Sequence, residues 1–326
     1  MTTKKISWIV AAAVAGGVMI AAAFIPLPYY AEGPGPARNV LPLISFDDRE
    51  RHEARGELVY TTVRLQRLTL LGLVAAWLDP VRYVVSQDLI YPPGIDRQEE
   101  AERSISQMDQ SKIDATFVVL TRLEDYPREH GEGALVRATV PGCPASGELF
   151  PGDVILEIDD RDVGSRRDAS RAIEAVGEGE PLEFVVEVDG EREEARFTRE
   201  ACGPDEEILV GVSLLDAFPF PVTMSSGAVG GPSAGLMWAL GLYELLDPGD
   251  LAAGRIVAGT GTIDLEGNVG PIGGIRDKVI AAERAGADLF LVPADNMAEL
   301  EGMETGAMEL VSIATIDEAI DALETR

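Results

Sequence analysis

The sequence is short of positive charge, histidine, cysteine and lysine, and each shortage removes a class of chemistry. Across 326 residues, 27 lysines and arginines face 56 aspartates and glutamates, a formal net charge of −29. A chain this acidic has no basic face to offer a phosphate backbone, which argues against nucleic acid as a partner. The two histidines, His52 and His130, both lie far in sequence from the glycine-rich stretch described below. A serine–histidine–aspartate triad would have to recruit one of them across domains. Two cysteines, Cys143 and Cys202, stand outside any CxxC pair or histidine cluster, so no zinc-ligand set is present and neither metal nor cofactor is expected. Lysine occurs only four times, so any lysine-dependent chemistry has few candidates.

Apolar residues make up 46% of the chain and charged residues 25%, enough for packed cores in two or three domains. No internal repeat or low-complexity tract interrupts it. Near the N-terminus, ISWIVAAAVAGGVMIAAAFI (Ile6 to Ile25) is a 20-residue run without a charge. At ~1.5 Å per residue it would span ~30 Å, the thickness of a bilayer core. Lys4 and Lys5 precede it, which predicts a single-pass protein of the cell membrane with a cytoplasmic N-terminus and an extracytoplasmic body. Ala21-Ala22-Ala23 also fits a signal-peptide cleavage site, although the unbroken length favours a retained anchor. Either way the body meets an oxidising compartment. A Cys143–Cys202 disulfide is then allowed, with two unpaired thiols as the alternative.

Pro26 to Ile44 is a proline- and glycine-rich exit from that run. Leu58 to Leu65 is rich in β-branched residues and predicts a strand. Leu68 to Leu78 is apolar but too short to span a bilayer, so a helix buried in the core or lying near a membrane surface is expected. Asp96 to Ala115 is charged and favours helix. Next, Gly133 to Thr139 (GALVRAT) predicts a strand, Arg166 to Val176 a helix, and PLEFVVEVDGEREEARFTRE a hairpin turning at Asp189-Gly190. The last third alternates strands and helices, with a buried strand at Asp288 to Pro293.

Two stretches of that last third carry chemistry. In GGPSAGLMWALGLYELL, Pro232 suits the first turn of a helix, whose outward N–H groups favour negative charge. Gly230 and Gly231 allow close backbone approach to a ligand. Ser233 can therefore be a helix cap or a nucleophile beside an oxyanion site. A phosphate loop is excluded, because the lysine of GxxxxGK[ST] is missing. A nucleophilic serine needs a base, and without a neighbouring histidine a desolvated lysine is the remaining choice. The last domain has one lysine, Lys278, followed by Val279, Ile280, Ala281 and Ala282. The competing reading is a surface lysine paired with Asp277 or Glu283.

Two resemblances sharpen this. The run from Phe150 to Asp159 (FPGDVILEID) resembles a PDZ domain. That implies a groove between strand Gly133–Thr139 and helix Arg166–Val176, with Gly133, Ala134, Leu135 and Val136 binding an extended peptide. GGPSAG, then GTGTIDLEGNVGPIGG, then the lysine of GIRDK resembles the Lon-type Ser/Lys protease domain over about Val210 to Pro293. That resemblance implies Ser233 as nucleophile, Lys278 as general base, Thr260 as the residue orienting the lysine, and the backbone of Gly231 and Ser233 as the oxyanion hole. Many ATP-dependent members have an acidic residue where Gly230 stands here. The combination resembles bacterial membrane-anchored PDZ-containing Lon-type proteases (YlbL-like), and it implies ATP-independent cleavage of extended or unfolded peptide and protein segments. Lon-type domains often assemble as rings, so a homo-oligomer stays open. The alternative function is an inactive peptide-binding scaffold.

The expected fold class is thus α+β multidomain, with an N-terminal transmembrane helix, a PDZ-like β-rich domain and a Lon-type α/β domain. The expected boundaries are residues 1–28 for the anchor, 29–113 for a segment packing with the protease domain, 114–203 for the PDZ-like domain and 204–326 for the protease domain.

Overall fold

The computed structural model describes residues 14, 16, 17, 23–79, 81–91 and 97–325. The N-terminal region supplies β1 (Pro26–Asn39), β2 (Ile44–Phe46), β3 (Glu57–Thr69), α1 (Leu70–Leu78), β4 (Tyr83–Ser86), the single turn α2 (Gln87–Ile90) and the long helix α3 (Arg97–Leu123). The middle region supplies β5 (Ala134–Thr139), β6 (Val154–Ile158), β7 (Arg161–Asp162), α4 (Arg166–Glu174), β8 (Pro181–Val188), β9 (Glu191–Thr198), β10 (Glu200–Cys202), β11 (Glu207–Leu209) and β12 (Val212–Asp216). The C-terminal region supplies β13 (Val222–Met224), α5 (Gly235–Leu246), β14 (Ile256–Gly259), β15 (Thr262–Ile263), β16 (Val269–Gly270), α6 (Ile275–Arg284), β17 (Leu289–Pro293), β18 (Glu309–Ile313) and α7 (Ile316–Glu324).

The two ends of the chain share one sheet of order β18-β17-β14-β3-β1-β4. β3 lies parallel to β14, from Glu57 opposite Ile256 to Tyr60 opposite Gly259, and antiparallel to β1. β14 and β17 are buried apolar runs, as parallel strands covered by helices must be, while β18 at the edge buries only Val311 and Ile313. Helix α5 is apolar around most of its circumference, its one charge being Glu244, buried and accepting from Leu251 N–H at 2.7 Å, so an enclosed position suits it. Leu236, Met237, Trp238, Leu240 and Leu242 have no exposed surface, and the Trp238 ring lies 5.5 Å from that of Tyr60 on β3.

The middle region forms a second sheet, β12-β5-β6-β8-β9, with its own core around Ile155, Ile158, Leu182, Phe184 and Val186. The β8–β9 hairpin turns at Asp189 and Gly190 with φ of 52° and 83°. Both values are positive, as the right-handed strand twist requires of a two-residue turn. Cys143 and Cys202 are joined by a disulfide and enclose 59 residues of sequence separation, so the thiol alternative falls.

Three sequence expectations need correction. No helix among the described residues is long and apolar enough to cross a membrane, so a transmembrane helix is not part of the fold class, which is mixed α/β. Most of Ile6–Ile25, on which that expectation rested, lies outside the described residues. The apolar helix α1 has nine residues, or ~14 Å, half a bilayer core, and the longer α3 is heavily charged. The boundary at 113/114 cuts through α3, and that at 203/204 detaches β12 from a sheet to which its hydrogen bonds tie it. Finally, α1 is not a core helix: Trp77 is 83% exposed. Its short apolar run gave no sign of which neighbours would cover it.

The disulfide spans a long loop, and cross-linking it restricts the unfolded chain. Cys143→Ser is expected to cost about 3–4 kcal/mol. Thermal melting with and without a reductant checks this: reduction should lower Tm for the native chain and leave the variant unchanged.

Candidate active site

The site is assembled where α5, the end of β14 and α6 converge. The chain leaves β13, turns through Gly230-Gly231-Pro232, and enters α5 at Gly235, one turn later than the proline suggested. The Gly235 N–H donates to Pro232 O at 3.2 Å, so Ser233 sits in the entering turn rather than in the helix. Its carbonyl accepts from Gly261 N–H and from Thr260 Oγ1, both at 2.8 Å, which straps the nucleophile turn to the end of β14. On the other side, α6 starts at Gly274, whose φ of 67° favours glycine. A Cβ there would also lie 2.7 Å from Val63 Cγ2 of β3. Gly274 therefore lets α6 press against β3 with Lys278 turned inward.

The three side chains named from sequence come together. Lys278 Nζ stands 2.7 Å from Ser233 Oγ and 3.0 Å from Thr260 Oγ1. Lys278 is 3% exposed and forms no ion pair among the described residues, so the surface pairing with Asp277 or Glu283 does not occur. Burial without a counter-charge lowers its pKa to about 8. Thr260 gives its own proton to Ser233 O and so keeps its lone pairs for the lysine. Asp277, the next residue, is also buried, and its Oδ1 has no hydrogen-bond partner. Burial, reinforced by the Glu32 charge and opposed by Arg284, raises its pKa to about 6.

The oxyanion donors are arranged differently from expectation. The Gly231 N–H donates to the carbonyl of Ser104 on α3 at 2.7 Å, so it is occupied. The Ser233 N–H has no acceptor among the described residues. Helix α3 also holds the turn through Ser111 Oγ, which donates to Pro232 O at 3.0 Å. A cleft of about 490 Å³ opens beside the dyad, lined by Thr61, Val63 and Leu65 of β3, Met108 of α3, and Val229 and Gly230 of the turn. Sequence reasoning expected residues 29–113 to pack with the protease domain but named none of these cleft residues. The strand and helix were each legible, but no local signal announced that β3 pairs with β14, from Glu57 opposite Ile256, or that Ser111 of α3 meets Pro232, 121 residues downstream. Neither histidine lines the cleft.

The proposed peptide residues Ala134, Leu135 and Val136, with Gly133 before them, are not free for strand addition. β5 is paired with β6 on one edge and with β12 on the other, from Val212 opposite Thr139 to Asp216 opposite Ala134. The strand at the end of that sheet, facing α4, is β12. Between it and α4 lies a groove of about 440 Å³ lined by Ile173, Val212, Leu214, Arg166 and Arg167.

Residues 211–325 match the family model of the Lon protease (S16) C-terminal proteolytic domain. Over 104 residues the chain is 39% identical to Lon protease 1 of Sorangium cellulosum, a match covering 30% of this chain and 13% of that one. It is 33% identical over 108 residues to the Lon protease of Rickettsia felis, covering 32% and 14%. The matched part is thus a small share of these relatives' length. Among solved structures, the PDZ domain of the SdrC-like protein Lin2157 from Listeria innocua aligns at 24% identity with a TM-score of 0.24, covering 26% of this chain and 93% of that one. The matches thus support a Lon-like, serine-type peptidase domain in the C-terminal third.

A general base must be neutral, so activity should rise with pH as Lys278 loses its proton and level off above about pH 8. At pH 7 about a tenth of the lysine would be neutral, compared with well under a thousandth for an exposed one. The same depression means that the folded chain binds fewer protons than the unfolded chain between about pH 8 and 10.5, so stability rises across that window. Lys278→Met is expected to cost at least about 10³-fold in kcat. It should also raise Tm at pH 7 by removing a buried ammonium. A variant equally active, or less stable at pH 7, would remove the lysine from its role.

Proposed function

We propose that the protein is an ATP-independent serine endopeptidase acting on extended or unfolded polypeptide segments outside the cytoplasm. The observation that carries this reading is the 2.7 Å contact between Ser233 Oγ and a buried, unpaired Lys278 Nζ. Neutral Lys278 takes the Ser233 proton while its own N–H remains on Thr260 Oγ1. The freed Oγ attacks the peptide carbonyl carbon, and the Ser233 N–H faces the developing oxyanion. The lysinium then protonates the leaving amine, leaving an acyl-enzyme. Water, deprotonated by the same lysine, completes hydrolysis.

Substrate geometry supports extended segments. β14 pairs β3 only as far as Tyr60, so the edge of Thr61–Leu65 beside Ser233 has no strand on that side among the described residues. A strand-like segment could pair there. The groove between β12 and α4 suits a second extended peptide, and in this reading the middle region acts as a PDZ-like recruiting domain. The disulfide supports an oxidising compartment. The occupied Gly231 N–H favours one alternative, a peptide-holding scaffold without turnover.

Ser233→Ala should abolish ATP-free cleavage of unfolded casein while leaving Tm near that of the parent. A serine-reactive phosphonate should label Ser233 in the parent chain. Absence of both labelling and cleavage in a folded preparation would favour the scaffold. In a complex with a peptidyl boronate, Gly231 N–H is expected to leave Ser104 O and turn to the boronate oxygen; an unchanged bond would show that one backbone donor suffices.

A further inference from the structure

We propose that the exposed apolar stripe of α1, with the neighbouring strand β4, docks on the surface of a lipid bilayer. The stripe consists of Leu70, Leu71, Val74, Trp77 and Leu78, spaced so that all lie on one helix face. Leu71, Trp77 and Leu78 are 62%, 83% and 70% exposed. The opposite face already has its partners, since Ala76 and Leu73 pack against Ala31 and Leu68. Scattered exposed leucines are ordinary, but a continuous stripe on a charge-free helix marks a contact surface.

Three observations select lipid over a protein partner. Exposed aromatic rings accompany the stripe, Trp77 within it and Tyr29 and Tyr83 on β1 and β4, the strands in contact with α1, and such rings favour the headgroup boundary. The local charge runs against that of the molecule. Arg64 and Arg67 stand in a stretch without an acid from residue 60 to 78, Arg82 pairs with Asp79 at 3.1 Å, and Glu32 of β1 is the neighbouring carboxylate, in a chain of net charge −29. Anionic headgroups would be attracted here and repelled elsewhere. Finally, the uncharged sequence Ile6–Ile25 runs directly into β1, whose first residue, Pro26, is opposite Thr69. Thr69 is the N-cap of α1, its side chain accepting from Gly72 N–H, so the described end of that run, with Phe24 and Ile25 exposed, joins the fold beside this stripe.

Docking would set the height of the cleft. Leu65 lines the cleft and Thr69 opens α1, four residues apart on the same strand, or ~13 Å. If the peptidase reading holds, the substrates it favours are segments lying close to a bilayer. The lipid contact itself does not depend on that reading.

The test uses the full chain with vesicles of phosphatidylglycerol and phosphatidylcholine, with and without brominated acyl chains. Comparing the parent with Trp77→Phe isolates the emission of Trp77 from that of Trp8 and buried Trp238. Trp77 is solvent-exposed, so the substitution leaves the fold intact. The Trp77 component should shift to the blue on adding vesicles and lose intensity with brominated lipid, and a phenylmethylsulfonyl-inactivated chain should behave identically. Identical quenching in the parent and Trp77→Phe would overturn the proposal. So would a Trp77 shift that follows protein concentration without lipid and disappears in Leu71→Glu, which would assign the stripe to contacts between copies of the chain.

Discussion

The structure depends on keeping water away from one amino group. Lys278 is held dry by packing rather than by a partner charge. Its helix carries Ile275, Val279 and Ala282 into a cluster with Ala258, Phe290 and Val292, and Val59 of β3 closes the same cluster. A lysine with a carboxylate at hydrogen-bond distance would keep its proton at neutral pH; one dried by aliphatic neighbours gives it up more readily. Part of that wall comes from the N-terminal strands. β3 supplies Val59 to the cluster and Val63 to the contact at Gly274, so the peptidase-like C-terminal third has its chemistry completed by residues before the β-rich region.

Helix α3 connects the two sheets. Its Ser104 and Ser111 hold the turn that carries the nucleophile. One turn further on, Asp114 accepts from Arg137 of β5 through both carboxylate oxygens, at 2.6 and 2.9 Å. Asp114 is 4% exposed, and its burial raises its pKa while Arg137 opposes the rise. Removing Arg137 would leave a buried carboxylate without its counter-ion, so the pair fixes how the β-rich region sits on α3. The chain leaving the peptide-sized groove reinforces the same junction. Asp216 at the end of β12 accepts from Arg166 N–H of α4 through Oδ1, and from Tyr126 OH through its carbonyl. The fourteen residues from Ala217 to Gly230 then lead to the nucleophile turn.

Much of this was readable from residue types. A serine after two glycines and a proline, and a single lysine in the last domain, made the pair candidates beside a helix cap and a surface lysine, and it was the resemblance of GGPSAG and GIRDK to the Lon-type domain that named them. The hairpin at Asp189-Gly190 and the largely apolar α5 follow from local rules. Partner choice was not readable. GALVRAT reads as an edge strand ready for a peptide, yet its edge is filled by VSLLD from more than 70 residues later. Alternating patterns fix which face of a strand is buried and do not fix which strand lies beside it. In α1 the same limit appears with opposite sign: LLGLVAAWL left a core helix and a helix near a membrane surface both open, and no element of the described chain covers its outer face.

The oxyanion geometry shows why local sequence stops short of mechanism. Gly231 has a φ of 84° and nothing near the position of a Cβ, so its peptide has room to turn. In the observed state that freedom is restrained by the bond to Ser104 O. Net, such a bond contributes about 0.5–1.5 kcal/mol. A backbone donor aimed at an oxyanion contributes about 2.7–4 kcal/mol in acyl transfer. The exchange therefore becomes favourable once a carbonyl is being attacked. Donor placement of this kind depends on what occupies the cleft, and α3, one of the cleft's walls, holds the competing acceptor. The same helix that backs the nucleophile turn thus competes for one of the two oxyanion donors.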